Sequence, residues 1–359
     1  MLGIWMGICC TVVMSAAAAA DSPAAFHDPL DLPADVSARA SIGTLTAIAD
    51  TGAGRVVAVG RYGRIVYSDD AGAAWTQAPV PTSADLVAVT FASPQRGWAV
   101  GHGATVLRSD DGGASWEKRL DGRQVTTAMR AHYEPLAAQG DEDAIRALDD
   151  TQRLIIEGPS RPFLDVWFDT PDAGFVVGAY NLIFRTVDAG AHWQLWSDHV
   201  DNPGGLHLNA IRRIGTTLFI AGEQGRLWRL DEAQQRFVPV PTPYAGTWFG
   251  ITGTPDRLVL FGLRGNAWTS HDDGASWRAA ITGVDTALTA GALLADGRIV
   301  LASISGQLLA CASPCERFEP LATAPAMAVY GLVALPKTGS GEATIAWVGN
   351  RGVTIGPLR

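Results

Sequence analysis

Four stretches of this chain share the phrase S/T-x-D-x-G-x-x-W, and that repetition limits the fold more than any other feature. They occupy residues 68–75, 109–116, 186–193 and 270–277. In each, a carboxylate two residues after a hydroxyl can accept bonds from turn N–H groups, and a glycine allows the positive φ of a tight bend. The tryptophan then opens a strand. A hairpin made four times in the same way describes an array of similar small sheets.

A second landmark sets the frame. A glycine stands eight residues before each hydroxyl, at Gly60, Gly101, Gly178 and Gly262, with short apolar strands on both sides. The same frame exposes degenerate copies opened by Gly222, Ser303 and Gly349. The landmarks step by 41, 77, 44, 40, 41 and 46 residues, which is the period of a propeller blade of about 40–45 residues with one insertion. The expectation is an all-β fold: a seven-bladed β-propeller of four-stranded antiparallel blades over residues 21–359. The 40 glycines and 12 tryptophans suit many turns around dense sheets.

Inner strands are expected at 45–49, 86–91, 163–168, 206–211, 248–251, 288–293 and 329–335, where aliphatic and aromatic residues crowd. The last copy runs out after its third strand, 353–355. Residues 21–40, and Phe26 to Val36 within them, are expected to supply its outer strand and close the ring. Residues 121–160 form a helical insertion between blades 2 and 3. One helix is expected over 126–138, with Pro135 arguing for a kink or early break. A second is expected over 143–156, capped by Asp143. The insertion either shapes a docking groove over the channel or packs back onto its blades.

Asp70, Asp111, Asp188 and Asp272 are read as structural carboxylates, each alone in its turn and a blade away from the next. Trp75, Trp116, Trp193 and Trp277 would bury their rings on the neighbouring sheet. A ring of calcium ligands or catalytic acids would not tolerate the degenerate turns, where Glu232 and Gln234 replace Asp and Gly. Cys311 and Cys315 are expected to close one such turn as a disulfide. Two thiolates alone do not complete a tetrahedral zinc site, and no cofactor is expected.

The opposite rim collects the residues just after each landmark, among them Asn181, Glu223, Gln224 and Asn350. Arg61, Tyr62, Arg64, His102, Tyr180, Arg264 and Arg351 form the candidate partner-binding face, since Arg and Tyr are frequent hot-spot residues. Blades 1, 6 and 7 are taken to gather Arg61, Arg64, Arg264 and Arg351 into one arc. A net charge of -9 argues against general binding to nucleic acid or anionic membrane. An apolar run over 1–13, followed by Ala18 and Ala20, reads as a signal peptide cleaved after residue 20. That implies export to the periplasm or another extracytoplasmic compartment, without membrane insertion afterwards.

The phrase is fullest at Val59-Gly60-Arg-Tyr-Gly63-Arg-Ile65-Val-Tyr-Ser68-Asp-Asp70-Ala-Gly72-Ala-Ala-Trp75. With its glycine spacing and sevenfold count, the chain resembles the Ycf48/HCF136-like photosystem II stability and assembly factors and their relatives in non-photosynthetic bacteria. The resemblance covers about residues 43–355. It implies a non-catalytic exported scaffold that binds a membrane protein complex or its assembly intermediates through an arginine-rich patch, for which Arg61, Arg64, Arg264 and Arg351 are the candidates. The chain departs from the family in its long insertion and in a seventh copy without the Asp-box. Two other functions stay open. A sialidase-like glycoside hydrolase would use Tyr62 or Tyr180 with Glu223. A ligand- or polysaccharide-binding propeller would set Trp167, Trp248 and Tyr330 along its axis.

Overall fold

The computed structural model describes residues 27–158, 160–323, 325–336 and 343–358. The signal segment lies outside these residues. Seven antiparallel sheets succeed one another along the chain, six of four strands and one of three. Blade 2 is typical: Leu86–Phe91 is strand A, Gly97–Gly101 strand B, Val106–Ser109 strand C and Glu117–Leu120 strand D. The other inner strands are Leu45–Asp50, Phe163–Phe168, Leu208–Ile214, Trp248–Thr254, Leu288–Leu293 and Val329–Leu335. Blade 4 begins two residues later than expected and runs three further, because its A–B turn is a two-residue hairpin at Gly215, with φ 59°.

Every inner strand carries the same irregularity. Its second residue, at Thr46, Val87, Leu164, Asn209, Phe249, Thr289 and Tyr330, is skipped in the pairing with strand B. Such a bulge bends the strand and re-aims one side chain. Three of these side chains tie neighbouring blades together. Thr46 donates to the carbonyl of Leu86 (2.6 Å), Asn209 to Trp248 (2.9 Å) and Thr289 to Val329 (2.7 Å).

The bulge explains the landmark glycines. Their backbone is extended, so a positive φ is not what they supply. A Cβ at Gly60, Gly101, Gly178, Gly222, Gly262 or Gly349 would fall 1.7–2.5 Å from the carbonyl oxygen that precedes the inner strand. Blade 6 admits Ser303 at this position, where its hydroxyl accepts from the Gln307 amide at 3.1 Å.

Apolar clusters lie between blades. Trp98 of blade 2 stacks on Phe168 of blade 3 at 4.1 Å and meets Trp193 edge-on at 5.9 Å. Blade 7 closes on blade 1 through Val348, Val353 and Ile355 against Ile48, Val56 and Trp75. The ring therefore closes by side-chain packing.

Among the described residues the expected closing strand does not form, and residues 21–26 of that expectation lie outside them. Blade 7 has three strands, Val329–Leu335, Thr344–Gly349 and Gly352–Pro357. Residues 27–36 lie instead along blades 1 and 2. Ala34 donates to the Val80 carbonyl (3.0 Å), and the Ser83 amide and Thr82 hydroxyl donate to Pro29 (2.9 Å each). Leu30 is buried over Gly103, while Arg123 holds Asp28 and Asp31 at 2.6 and 2.7 Å. Pro29 and Pro33 lack the N–H groups an outer strand would donate, and the acids find their cations on blade 2 and the first helix.

That helix, α1, spans Gly122–Ala138, four residues earlier than expected. Asp121 caps it reciprocally with Gln124: the Arg123 amide donates to Asp121 at 3.1 Å, and the Asp121 amide donates to Gln124 at 3.0 Å. Pro135 sits in the last turn and the helix continues past it to Ala138. The second helix, α2, spans Glu142–Glu157 and is capped by Asp141 rather than Asp143, with the Ala144 amide donating at 2.9 Å. Val125, Met129, Tyr133 and Leu154 pack on Ala104 and Leu182, so the insertion is seated on the B–C rim of blades 2 and 3. Among the described residues no helix is long and apolar enough to cross a membrane.

Candidate partner-binding face

The two sides of the ring use their polar residues differently. On the A–B and C–D side, all four repeated phrases build one turn. The hydroxyl of Ser68, Ser109, Thr186 or Ser270 donates to the carboxylate two residues on at 2.8–2.9 Å. It also accepts from the glycine amide at 2.8–3.0 Å. The same carboxylate accepts an amide four residues on at 2.8–2.9 Å. Each tryptophan leans on the preceding blade: Trp75 on Val353 and Ile355, Trp116 on Val57, Trp193 on Trp98 and Trp277 on Val240.

These bonds favour the ionised acid. Asp188 is lowered to about 2 by the His192 amide and ring, and Asp272 to about 2 by the Ser276 hydroxyl and amide. A carboxylate whose folded pKa lies below its ordinary 3.8 stabilises the fold above that pH. The contribution disappears as pH falls through the folded value. Thermal melts should therefore lose stability between about pH 4 and pH 2. An Asp188→Asn, Asp272→Asn double variant should start lower and show a shallower acid decline.

Two turns depart from the phrase. In blade 4 Asp231 replaces the missing acid, accepting the amides of Ala233 and Gln234 at 3.0 Å each. In blade 6 the Cys311–Cys315 disulfide closes the turn.

Arginines stitch this side across blades. Arg55 holds Asp69 at 2.6 Å and reaches the Asp111 and Gly112 carbonyls of blade 2. Arg96 links Asp110 (2.7 Å) to Asp172 of blade 3 (2.8 Å). Arg213 of blade 4 clasps Asp169 of blade 3, and Arg257 of blade 5 donates to Gly297 of blade 6 at 2.7 Å. Sequence spacing gave no sign of these links, since each joins residues of different repeats.

The B–C side presents its residues outward. Tyr62, Tyr180, Gln224 and Arg264 occupy the left-handed region, with φ of 53–60°. Bulky side chains rarely adopt it, and such strain clusters at functional positions. Tyr62 and Tyr180 remain 60% and 57% exposed. The Tyr62 amide is held by the Asp85 carboxylate at 2.8 Å, and Arg61 lies 3.9 Å from the same group. The Arg64 guanidinium covers the Tyr62 ring at 5.5 Å.

The predicted residues do not form one arc. Arg61, Tyr62 and Arg64 are on blade 1 and Arg351 is on the adjoining blade 7. Arg264 belongs to blade 5, separated from blade 7 by blade 6. His102 is on blade 2. Tyr180 is on blade 3, between Arg161 (5.0 Å) and the His207 ring (4.5 Å). Exposed Arg39, missed in the sequence, precedes the short helix Ala40–Ile42 that packs between blades 1 and 7. Among the described residues Arg39, Arg64 and Arg351 make no salt bridge to a carboxylate.

Among the described residues the groups named for the other two functions do not come together. His207 stands between Tyr180 and Glu223, holding the carboxylate at 3.0 Å, and among the described residues neither the Tyr62 nor the Tyr180 hydroxyl bonds a carboxylate. Trp248 is fully buried, and Trp167 packs into the core between blades 3 and 4. Among the described residues no three His, Cys, Asp or Glu side chains converge.

Comparison with known proteins agrees with the fold. A family model described as photosynthesis system II assembly factor YCF48 matches residues 67–147 and 151–321. The photosystem II assembly lipoprotein Ycf48 of Synechococcus sp. (strain CC9902) is 30% identical over 122 residues, 33% of this chain. That match spans 37% of the relative's length. A solved structure of YCF48 bound to D1 peptide superposes with a TM-score of 0.63 at 16% identity, covering 94% of this chain and 99% of that one. YCF48 from Cyanidioschyzon merolae gives 0.58 at 13% identity, covering 88% and 95%.

Proposed function

We propose, from the premise that this chain belongs to the photosynthesis system II assembly factor YCF48 family, that it is a non-catalytic scaffold or assembly factor. It works in an extracytoplasmic compartment and binds a membrane protein complex of the cell envelope, or intermediates in its assembly. The observation that carries this reading is the contrast between the two sides. On the Asp-box side Arg55, Arg96, Arg213 and Arg257 are spent on joining blades. On the B–C side Arg64 covers exposed Tyr62 at 5.5 Å and Arg61 approaches Asp85 at 3.9 Å, while Arg39 and Arg351 make no salt bridge among the described residues. Guanidinium groups beside a tyrosine suit a protein surface rich in carboxylates. The YCF48 structure with a D1 peptide supports a peptide-binding role for this fold family.

Affinity capture from detergent-solubilised envelope should recover a stoichiometric membrane partner. An Arg61→Glu, Arg351→Glu double variant should reduce that recovery at least tenfold, about 1.4 kcal/mol of binding, with an unchanged melting temperature. Equal recovery by both proteins, or no membrane partner with either, would overturn the reading.

A further inference from the structure

Among the described residues, strand C is covered by strand D in six blades and has no strand beyond it in the seventh. Ile65–Ser68 and Val106–Ser109 each have three of four residues buried, and Leu308–Cys311 has all four. In Gly352–Pro357 only Gly352 is buried. Its inner edge pairs with Thr344–Gly349 at all six positions. Its outer edge receives, among the described residues, a side-chain bond from Thr323 to the Pro357 carbonyl at 3.0 Å. An unpaired row of N–H and C=O groups is a template for another strand. Residues 27–36, expected on this edge from the sequence, are anchored on blades 1 and 2.

We propose that this edge takes an extended segment of a partner protein as a fourth strand, antiparallel to Gly352–Pro357, with carboxylates at the segment's C-terminal end. The inference rests on the protein-binding role proposed above and adds the kind of ligand. The direction comes from the fold, since the C–D pairs of all six other blades are antiparallel. Strand C of blade 7 starts at the B–C rim, directly after Arg351. An antiparallel strand therefore begins beside Pro357 and delivers its C-terminus to Arg351 and to the start of the adjoining short helix, which Arg39 precedes. Alternate residues of the guest would cover Val353 and Ile355, half-buried beside Trp75. The ligand is thus a peptide alternating β-branched residues with polar ones and ending in acids.

The probe is a fluorescent ten-residue peptide alternating Val and Thr, ending in Glu-Glu with a free carboxylate. It should bind the full chain and slow amide exchange at Val353 and Ile355, whose N–H groups face the open edge. Placing the two glutamates at its N-terminus should weaken binding at least tenfold. N-methylation of alternate amides should do the same while leaving charge intact. Arg351→Glu should weaken binding of the parent peptide without altering exchange elsewhere.

Binding that protects other residues, or that N-methylation does not affect, would overturn the proposal. The capture experiment with Arg61→Glu and Arg351→Glu would in that case still stand as evidence for the docking face. Two other occupants are read by the same assay. Edge amides already protected in a chain starting at residue 21, and released in one starting at residue 27, would assign the edge to the chain's own N-terminus. Protection that grows with protein concentration alone would assign it to a second copy. Either result replaces the peptide.

Discussion

Trp98→Ala should be the most damaging single substitution considered, with a loss of about 3–5 kcal/mol. The ring is fully buried on strand B of blade 2. It stacks on Phe168, meets Trp193 edge-on and supports the Asp-box turn of blade 3, where a Cβ on Gly190 would lie 2.7 Å from it. Its removal leaves a hole between two blades and takes the floor from under a turn. The surrounding strands are fixed by their own ladders and can relax little into the space. The indole N–H has no acceptor among the described residues, so little is lost with the nitrogen itself. Trp98→Phe keeps one stacked ring and leaves a smaller cavity, so it should cost less than the alanine variant, about 1–3 kcal/mol. Chemical denaturation of both variants would separate ring volume from ring chemistry, and equal losses would contradict the packing argument.

Gly262→Ala is the second large effect, a destabilisation of about 1–3 kcal/mol from adding one methyl group. The new Cβ would lie 2.1 Å from the Thr247 carbonyl oxygen and 3.0 Å from the Trp248 Cα. Backbone cannot rotate away as a side chain can, so the inner strand of blade 5 has to shift against its neighbours. Ser303 shows that one blade accommodates a Cβ at this point, which bounds the cost well short of unfolding. Gly204→Ala is the matched control. Its Cβ would meet Leu206 at 3.6 Å, an ordinary contact, and its φ is not positive. That variant should stay within about 0.5 kcal/mol of the parent.

The blade count was legible because the constraint that fixes each blade is local. A hydroxyl, an acid and a glycine within five residues make the turn, and one glycine eight residues earlier admits the bulge. The same locality explains what was missed. The lacing by Arg55, Arg96, Arg213 and Arg257 joins different repeats, and no spacing within a repeat encodes it. Residues 26–36 are expected on blade 7 because a ring needs closing, whereas the structure lays 27–36 along blades 1 and 2. Their placement depends on Arg123, far along the chain, and on the gap over Gly103. The landmark series places Gly262 fifth, so Arg264 belongs to blade 5 and not to the expected arc of blades 1, 6 and 7. Arg39 carried no signal, since it lies outside the repeat. Asp231 has the sequence of an Asx turn followed by polar residues, although it does not fit the standard phrase.

The asymmetry between the two sides has a mechanical consequence. Guanidinium groups that each grip two sectors act like thread along one margin of a fan, while the opposite margin is joined mainly by apolar contact and the bulge residues. A wedge pressed between sectors should part them from the unthreaded margin first. That is also the margin where the insertion and the exposed arginines sit. Loops there can lengthen or change charge without cutting the thread, so the disc can acquire new clients while its hub stays the same.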